Sequence, residues 1–121
     1  MYSDDPVEVY RNEVCKVPPL SHEQEVECIR HIRARDEQAE LARMQLVEAN
    51  LGLVISIAEK HRSVHIHILD LTQKGNDALM AAVQPFADSG AEGFSAYAAP
   101  LIDRALDHAV ATSQAPADTG A

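Results

Sequence analysis

The sequence predicts an all-α protein, a compact bundle of about five helices. The composition favours helix over sheet: the 121 residues are rich in Ala, Leu, Val and Glu, with five Gly and no Trp. Apolar residues recur at intervals of three and four along most of the chain instead of alternating. Capping residues and prolines punctuate those periodic stretches where helices would start and stop. The length suits one small domain, and an apolar content of 46% is too high for a disordered chain.

Asp5-Pro6-Val7-Glu8 reads as a helix start, with an acidic cap and Pro at the first helical position. Val7, Tyr10 and Val14 form its apolar stripe, and Pro18-Pro19, which lack backbone N–H donors, end the segment. Ser21 with Gln24 signals a second cap, and Val26, Ile29 and Ile32 line the helix that follows. A third, longer helix is expected from Asp36 to about Arg62, with Leu46, Val47, Leu51, Val54, Ile57 and Ala58 as a wide apolar face. Gly52 weakens it locally, by about 1 kcal/mol relative to Ala. Ser63–His67 has no helical pattern and reads as a connection. The fourth helix is expected from Asp70, with Leu71, Ala78, Leu79, Ala82, Val83 and Phe86 inward and Pro85 near its end. Ala87–Gly93 reads as a loop. A last helix lies between Ser95 and Ala111, with Leu101, Ile102, Ala105, Leu106 and Ala109 on one side. Pro100 implies that this helix starts near Pro100 or has a bent first turn. The tail 112–121 is expected to be disordered.

No catalytic constellation is present: the sequence holds no nucleophile beside a base, no phosphate-binding glycine loop and no paired-carboxylate site. His61, His65 and His67 invite a metal hypothesis, but no Cys pair or acid at matching spacing completes a tetrahedral set, and the expectation is solvated loop histidines. Neither a metal nor a cofactor is implied. Cys15 and Cys28 lie inside periodic segments and read as reduced thiols. The longest apolar stretch, Leu51–Ala58, is far short of the roughly 20 residues of a membrane span. No basic region followed by an apolar run opens the chain, so no secretory leader is expected, and the location expected is cytoplasmic. The net charge of −9 argues against an open basic face for nucleic acid. On the fourth helix Asp70, Gln73 and Asn76 share a face, flanked by Lys74 and Asp77. Spacing alone leaves that face either an ordinary wet surface or a hydrogen-bonding strip for a partner helix.

Those residues carry a family resemblance. Asp5-Pro6-Val7 through Tyr10 and Val17-Pro18 through Glu27 resemble the segment that precedes the core-binding part of primary sigma factors, region 1.2. The run Glu48-Ala49-Asn50-Leu51-Gly52-Leu53-Val54-Ile55-Ser56-Ile57-Ala58-Glu59-Lys60 is similar to region 2 of the sigma-70 family. Leu69-Asp70-Leu71-Thr72-Gln73-Lys74-Gly75-Asn76, Leu79-Met80 and Phe94-Ser95-Ala96-Tyr97-Ala98 follow in register, so the likeness covers about residues 5 to 110. It implies residues 1–36 as N-terminal helices of the region 1.2 kind and 37–111 as a region 2-like helical domain. It also implies docking on the clamp helices of the largest subunit of RNA polymerase core, through positions matching Leu51, Val54, Leu69, Asp70, Gln73, Asn76 and Met80.

The DNA-facing half departs further from the family than the docking half. The position of Lys74 is usually Glu, and reversing a charge costs several kcal/mol at a desolvated interface pair and much less at the rim, so weakened core binding is expected. Where the family has two Tyr, two Arg and a Lys, this chain has Asp88, Ser89, Gly90, Glu92 and Gly93. The tryptophan pair that wedges against melted promoter DNA is replaced by Pro100 and Leu101, and the base-edge readers of the next helix by Asp103, Arg104 and Asp107. Phosphate binding needs cations, and holding an unpaired base needs aromatic faces. Phe94, Tyr97 and Arg104 are the DNA-binding candidates that remain. From Phe86 to Ala121 there are five acids and one base. The expectation is a sigma-factor-like transcription initiation protein that binds polymerase core, with weakened recognition and melting of the promoter −10 element and weak DNA binding without core. Two alternatives stand beside it: a regulator that competes for the clamp without binding DNA, and a helical interaction module that has lost polymerase binding.

Overall fold

In a computed structural model, which describes residues 5–114, the chain is all-helical. Six helices follow in order: α1 (Pro6–Cys15), α2 (His22–Ala34), α3 (Ala39–Glu48), α4 (Leu51–Lys60), α5 (Ile68–Ser89) and α6 (Phe94–Gln114). Among the described residues the only β pairing is an isolated bridge between Ser63 and Ile66, inside the expected connection.

The two N-terminal helices start where their caps predict. Asp5 accepts the Val7 N–H at 2.9 Å, with Pro6 at the first position of α1. Ser21 and Gln24 close a reciprocal capping box on α2, at 3.1 and 2.9 Å. In α2 the structure corrects one inward assignment: Ile29 and Ile32 are buried, but Val26 is 52% exposed. Arg35 ends α2 in the left-handed region, with φ 53°. That conformation costs a non-Gly residue roughly 1–2 kcal/mol, and the Arg35 guanidinium is held by the Asp88 carboxylate at 2.9 Å.

The single long third helix is in fact two. α3 and α4 meet at an angle of 41°, and the break falls at Ala49–Asn50, not at Gly52. Asn50 is buried, its amide donates to the Leu46 carbonyl at 2.8 Å, and its oxygen accepts the Ser95 hydroxyl at 2.7 Å. A side chain that captures the carbonyl one turn back competes with the helical ladder.

α5 starts two residues earlier than expected because His67 caps it, its ring nitrogen accepting the Leu69 N–H at 3.1 Å. It also runs on to Ser89, so Ala87–Ser89 are helical and the loop is confined to 90–93, with Gly90 at φ 79°. Pro85 and Pro100 both lie inside helices. Each deprives the carbonyl four residues back of its partner, but Ala81 and Ala96, which own those carbonyls, are exposed to water, as are both prolines. α6 therefore begins at Phe94 and passes Pro100, instead of starting there. It extends to Gln114, which corrects the start of the tail, while 115–121 lie outside the described residues.

The core lies where α4, α5 and α6 cross, built from Val54, Leu71, Leu79, Val83, Phe86, Phe94, Ile102 and Leu106. Gly75 is the closest approach. A Cβ there would stand 2.7 Å from Val54 Cγ1 and within 3.5 Å of Ile102 and Leu106 side chains. α2 and α3 pack on each other and on α5, while α1 lies against α4.

Candidate functional site

The outer face of α5 collects most of the expected docking residues. Leu69, Gln73, Asn76 and Met80 are spaced by four, three and four residues, so they form one row along the helix, with Asp70 beside it. Met80 is 45% exposed, Asp70 and Gln73 are exposed, and Leu69 and Asn76 are half-buried. Gln73 donates to Asp77 at 3.3 Å, which orients its amide along the row. Lys74 is exposed beside it. On α4, Leu51 is half-buried and packs against the core. Val54 is 0% exposed. It supports the row from beneath and offers no surface to a partner.

One interior position of the row, Asn76, is already engaged. The Asn76 amide donates to the Tyr10 hydroxyl of α1 at 3.2 Å, and its Oδ1 is buried without a hydrogen-bond partner. α1 is fixed on the adjacent helix by an ion pair between Arg11 and Glu59. The Tyr10–Asn76 contact spans 66 residues of sequence, and no local pattern announces it.

The DNA-binding candidates do not form one face. Phe94 is 0% exposed, with its ring in an edge arrangement against Phe86 at a centroid distance of 5.3 Å. That burial removes it from the surface and makes it a core residue. Tyr97 is half-buried, tilted against Phe86 at 5.1 Å. Arg104 is exposed on α6. The first turn of α6 is held from two sides: Glu25 accepts the Phe94 N–H at 2.9 Å, and Ser95 donates to Asn50.

Three of the four acids that stand in place of DNA-contacting groups have partners within the fold. Asp88 accepts from Arg35 at 2.9 Å and Gln84 at 3.2 Å, and the Arg35 guanidinium holds its carboxyl below the usual carboxylate range. Asp103 and Asp107 meet the two ring nitrogens of His61, at 2.9 and 3.1 Å. Glu92 is exposed on the loop before α6. His61 is thus not the solvated loop histidine the sequence suggests, since its side chain is 16% exposed. His65 is exposed and His67 is spent on the α5 cap, so the three do not converge. Among the described residues no group of three His, Cys, Asp or Glu side chains could hold a metal ion. No single helix among them is long and apolar enough to cross a membrane.

No family model matches the chain. Individual proteins do. RNA polymerase sigma factor SigA of Lactococcus lactis subsp. cremoris is 41% identical over 108 residues, covering 89% of this chain and 30% of that protein. SigA of Clostridium acetobutylicum is 42% identical over 108 residues, with 89% and 28% covered. SigA of a Bacillus species is 41% identical over the same coverage, 89% and 28%. The chain spans 28% to 30% of the length of these curated relatives. Identity of 41% to 42% over 89% of a helical chain supports a sigma-70 family region.

Proposed function

We propose that this chain acts without enzymatic activity, as a sigma-factor-like transcription initiation protein of the cytoplasm. It binds RNA polymerase core by laying the α5 row on the clamp helices of the largest subunit. The observation that carries this reading is the row itself, in which Leu69, Asp70, Gln73 and Met80 present apolar and hydrogen-bonding groups side by side on one stable helix. An amphipathic row of this kind suits helix-on-helix recognition, in which a few anchors fill pockets and polar neighbours set the register. Residues 1–36 correspond, in this reading, to the segment preceding the core-binding domain, and 37–111 to that domain.

Recognition and melting of the promoter −10 element are weakened, because Phe94 is sealed in the core and the α6 surface carries Asp103 and Asp107. Tyr97 and Arg104 are the groups left to contact DNA, and contact without core is weak. The same observations favour a second reading, in which the chain occupies the clamp and competes with other sigma factors without opening DNA.

Co-purification with core polymerase tests the docking. Retention at micromolar concentrations, tightened in Lys74→Glu, is the expected result; no retention of either protein overturns both readings. Binding of single-stranded promoter DNA by the complex then separates them. Binding that drops in Tyr97→Ala supports an initiator, whereas a complex with no DNA affinity supports the competitor.

A further inference from the structure

We propose that His61, Asp103 and Asp107 form a proton-dependent clamp that seats α6 against the end of α4. His61 Nε2 lies 2.9 Å from Asp103 and Nδ1 3.1 Å from Asp107. A carboxylate only accepts hydrogen bonds, and a neutral imidazole has a single N–H to donate. Both contacts are satisfied together only by the imidazolium, which donates from both nitrogens. Loss of the proton leaves one carboxylate facing a ring lone pair.

The surroundings fit this assignment. Asp103 and Asp107 are four residues apart on α6, where like charges one turn apart repel. A cation seated between them converts that repulsion into a bridge. His61 follows the last residue of α4, where the unsatisfied carbonyls of the helix end favour positive charge. Opposing these are the flanking cations Lys60 and Arg62, and Arg104 on α6 between the two acids. Glu59 is engaged by Arg11 of α1. Among the described residues, α5 sends no ionisable side chain into hydrogen-bond or ion-pair contact with the ring.

The clamp joins residues 42 positions apart in sequence, so it acts on tertiary packing and not on a single helix. Its loss also changes the α6 surface. Loss of the His61 proton removes one of the two positive charges beside the two carboxylates, the other being Arg104, which strengthens repulsion of phosphate groups. None of this depends on the polymerase reading.

Urea unfolding of the whole chain, followed by circular dichroism from about pH 5.5 to about pH 8.5 across the histidine range, tests the proposal. The wild-type midpoint is expected to fall as pH rises. His61→Gln and the double variant Asp103→Asn/Asp107→Asn should each flatten that fall by the same amount, on the order of a few tenths of a molar in urea. Combining all three substitutions should flatten it no further, since both remove one interaction. His31 also meets two carboxylates, Asp36 at 2.7 Å and Glu27 at 3.1 Å, so His31→Gln measures and subtracts that separate contribution. An unchanged slope in His61→Gln overturns the clamp, and so does a full His61-dependent slope in the Asp double variant. If His61→Gln fails to fold, the double variant decides alone, because Asp103 and Asp107 are exposed: a flattened slope supports the clamp and a wild-type slope overturns it.

Discussion

One methyl group added at position 75 probes the crossing of α4, α5 and α6 directly. In Gly75→Ala the new Cβ would lie 2.7 Å from Val54 Cγ1, with Ile102 and Leu106 methyl groups at 3.4 and 3.5 Å. Carbon atoms in contact settle at about 3.5–4.0 Å, so the valine methyl has to retreat by about 0.8 Å or more. Val54 is fully buried on α4, so the retreat moves a helix or forces an unfavourable rotamer. Overpacking of this kind costs about 1–3 kcal/mol. Against it stands the helix propensity gained on replacing Gly by Ala, about 1 kcal/mol at an interior position. The net expectation is a loss of up to about 2 kcal/mol, visible as a lower urea midpoint at unchanged m-value. Val54→Ala removes the obstructing methyl groups, so Gly75→Ala should cost nothing, or stabilise, in that background. A double-mutant cycle therefore shows a coupling between the two sites of about 1–3 kcal/mol. The reasoning fails if Gly75→Ala alone stabilises the protein, or if the two substitutions are additive.

Three further outcomes follow from the packing and the charges. Phe94→Ala should cost about 3–5 kcal/mol in unfolding free energy because it empties a sealed aromatic site against Phe86; a loss under about 1 kcal/mol would place the ring outside the core. Glu27, Asp36 and Asp88 have carboxyls held low, through bonds to Arg30, His31 and Arg35 respectively. Depressed carboxyls stabilise the fold above their unfolded-state range and lose that contribution as acid protonates them. Thermal unfolding should therefore drop below about pH 4.5, with a shallower drop in Arg35→Gln, and equal acid profiles for the two proteins would exclude the Asp88 contribution. Finally, Cys15 is exposed, whereas Cys28 is buried and desolvation pushes its thiol up. A thiol reagent should modify Cys15 in the native protein and Cys28 only on unfolding, so rapid native labelling of both would contradict the seating of α2 on α3.

The helix starts at Pro6 and His22 were legible because their signals are local: Asp5 and Ser21 bond to residues two and three positions away. The inward faces of α5 and α6 were legible for a similar reason, since helical period alone selects Leu71, Leu79, Val83, Ile102 and Leu106. The break between α3 and α4 was not. Asn50 lies in a run whose propensities favour a continuous helix, and one of the two partners of its side chain, Ser95, lies 45 residues away. The burial of Phe94 escaped in the same way: an aromatic residue at the mouth of a polar loop looks available until Phe86 and Glu25 are brought against it. Within the candidate docking row, helical spacing aligned Asp70, Gln73 and Asn76 and the family resemblance added Leu69, Met80 and Val54, but neither separated the surface residues from the buried Val54.

The same distinction changes how the acidic residues of the C-terminal half are understood. Read along the chain, Asp88, Asp103 and Asp107 look like groups whose main effect is to repel a phosphate backbone. In the fold each has a cationic or protonatable partner from an earlier helix or its end, Arg35 for Asp88 and His61 for the other two. A carboxylate paired at the surface contributes only about 0–1 kcal/mol to stability, so none of these residues is explained by stability alone. Their joint effect is on placement, since Arg35 ties the end of α5 to α2 and His61 ties the middle of α6 to α4. A surface that reads nucleic acid keeps its cations free for phosphates. Here Arg35 and His61 are paired with the protein's own acids, an arrangement that fits the proposed reading in which the α5 row carries recognition.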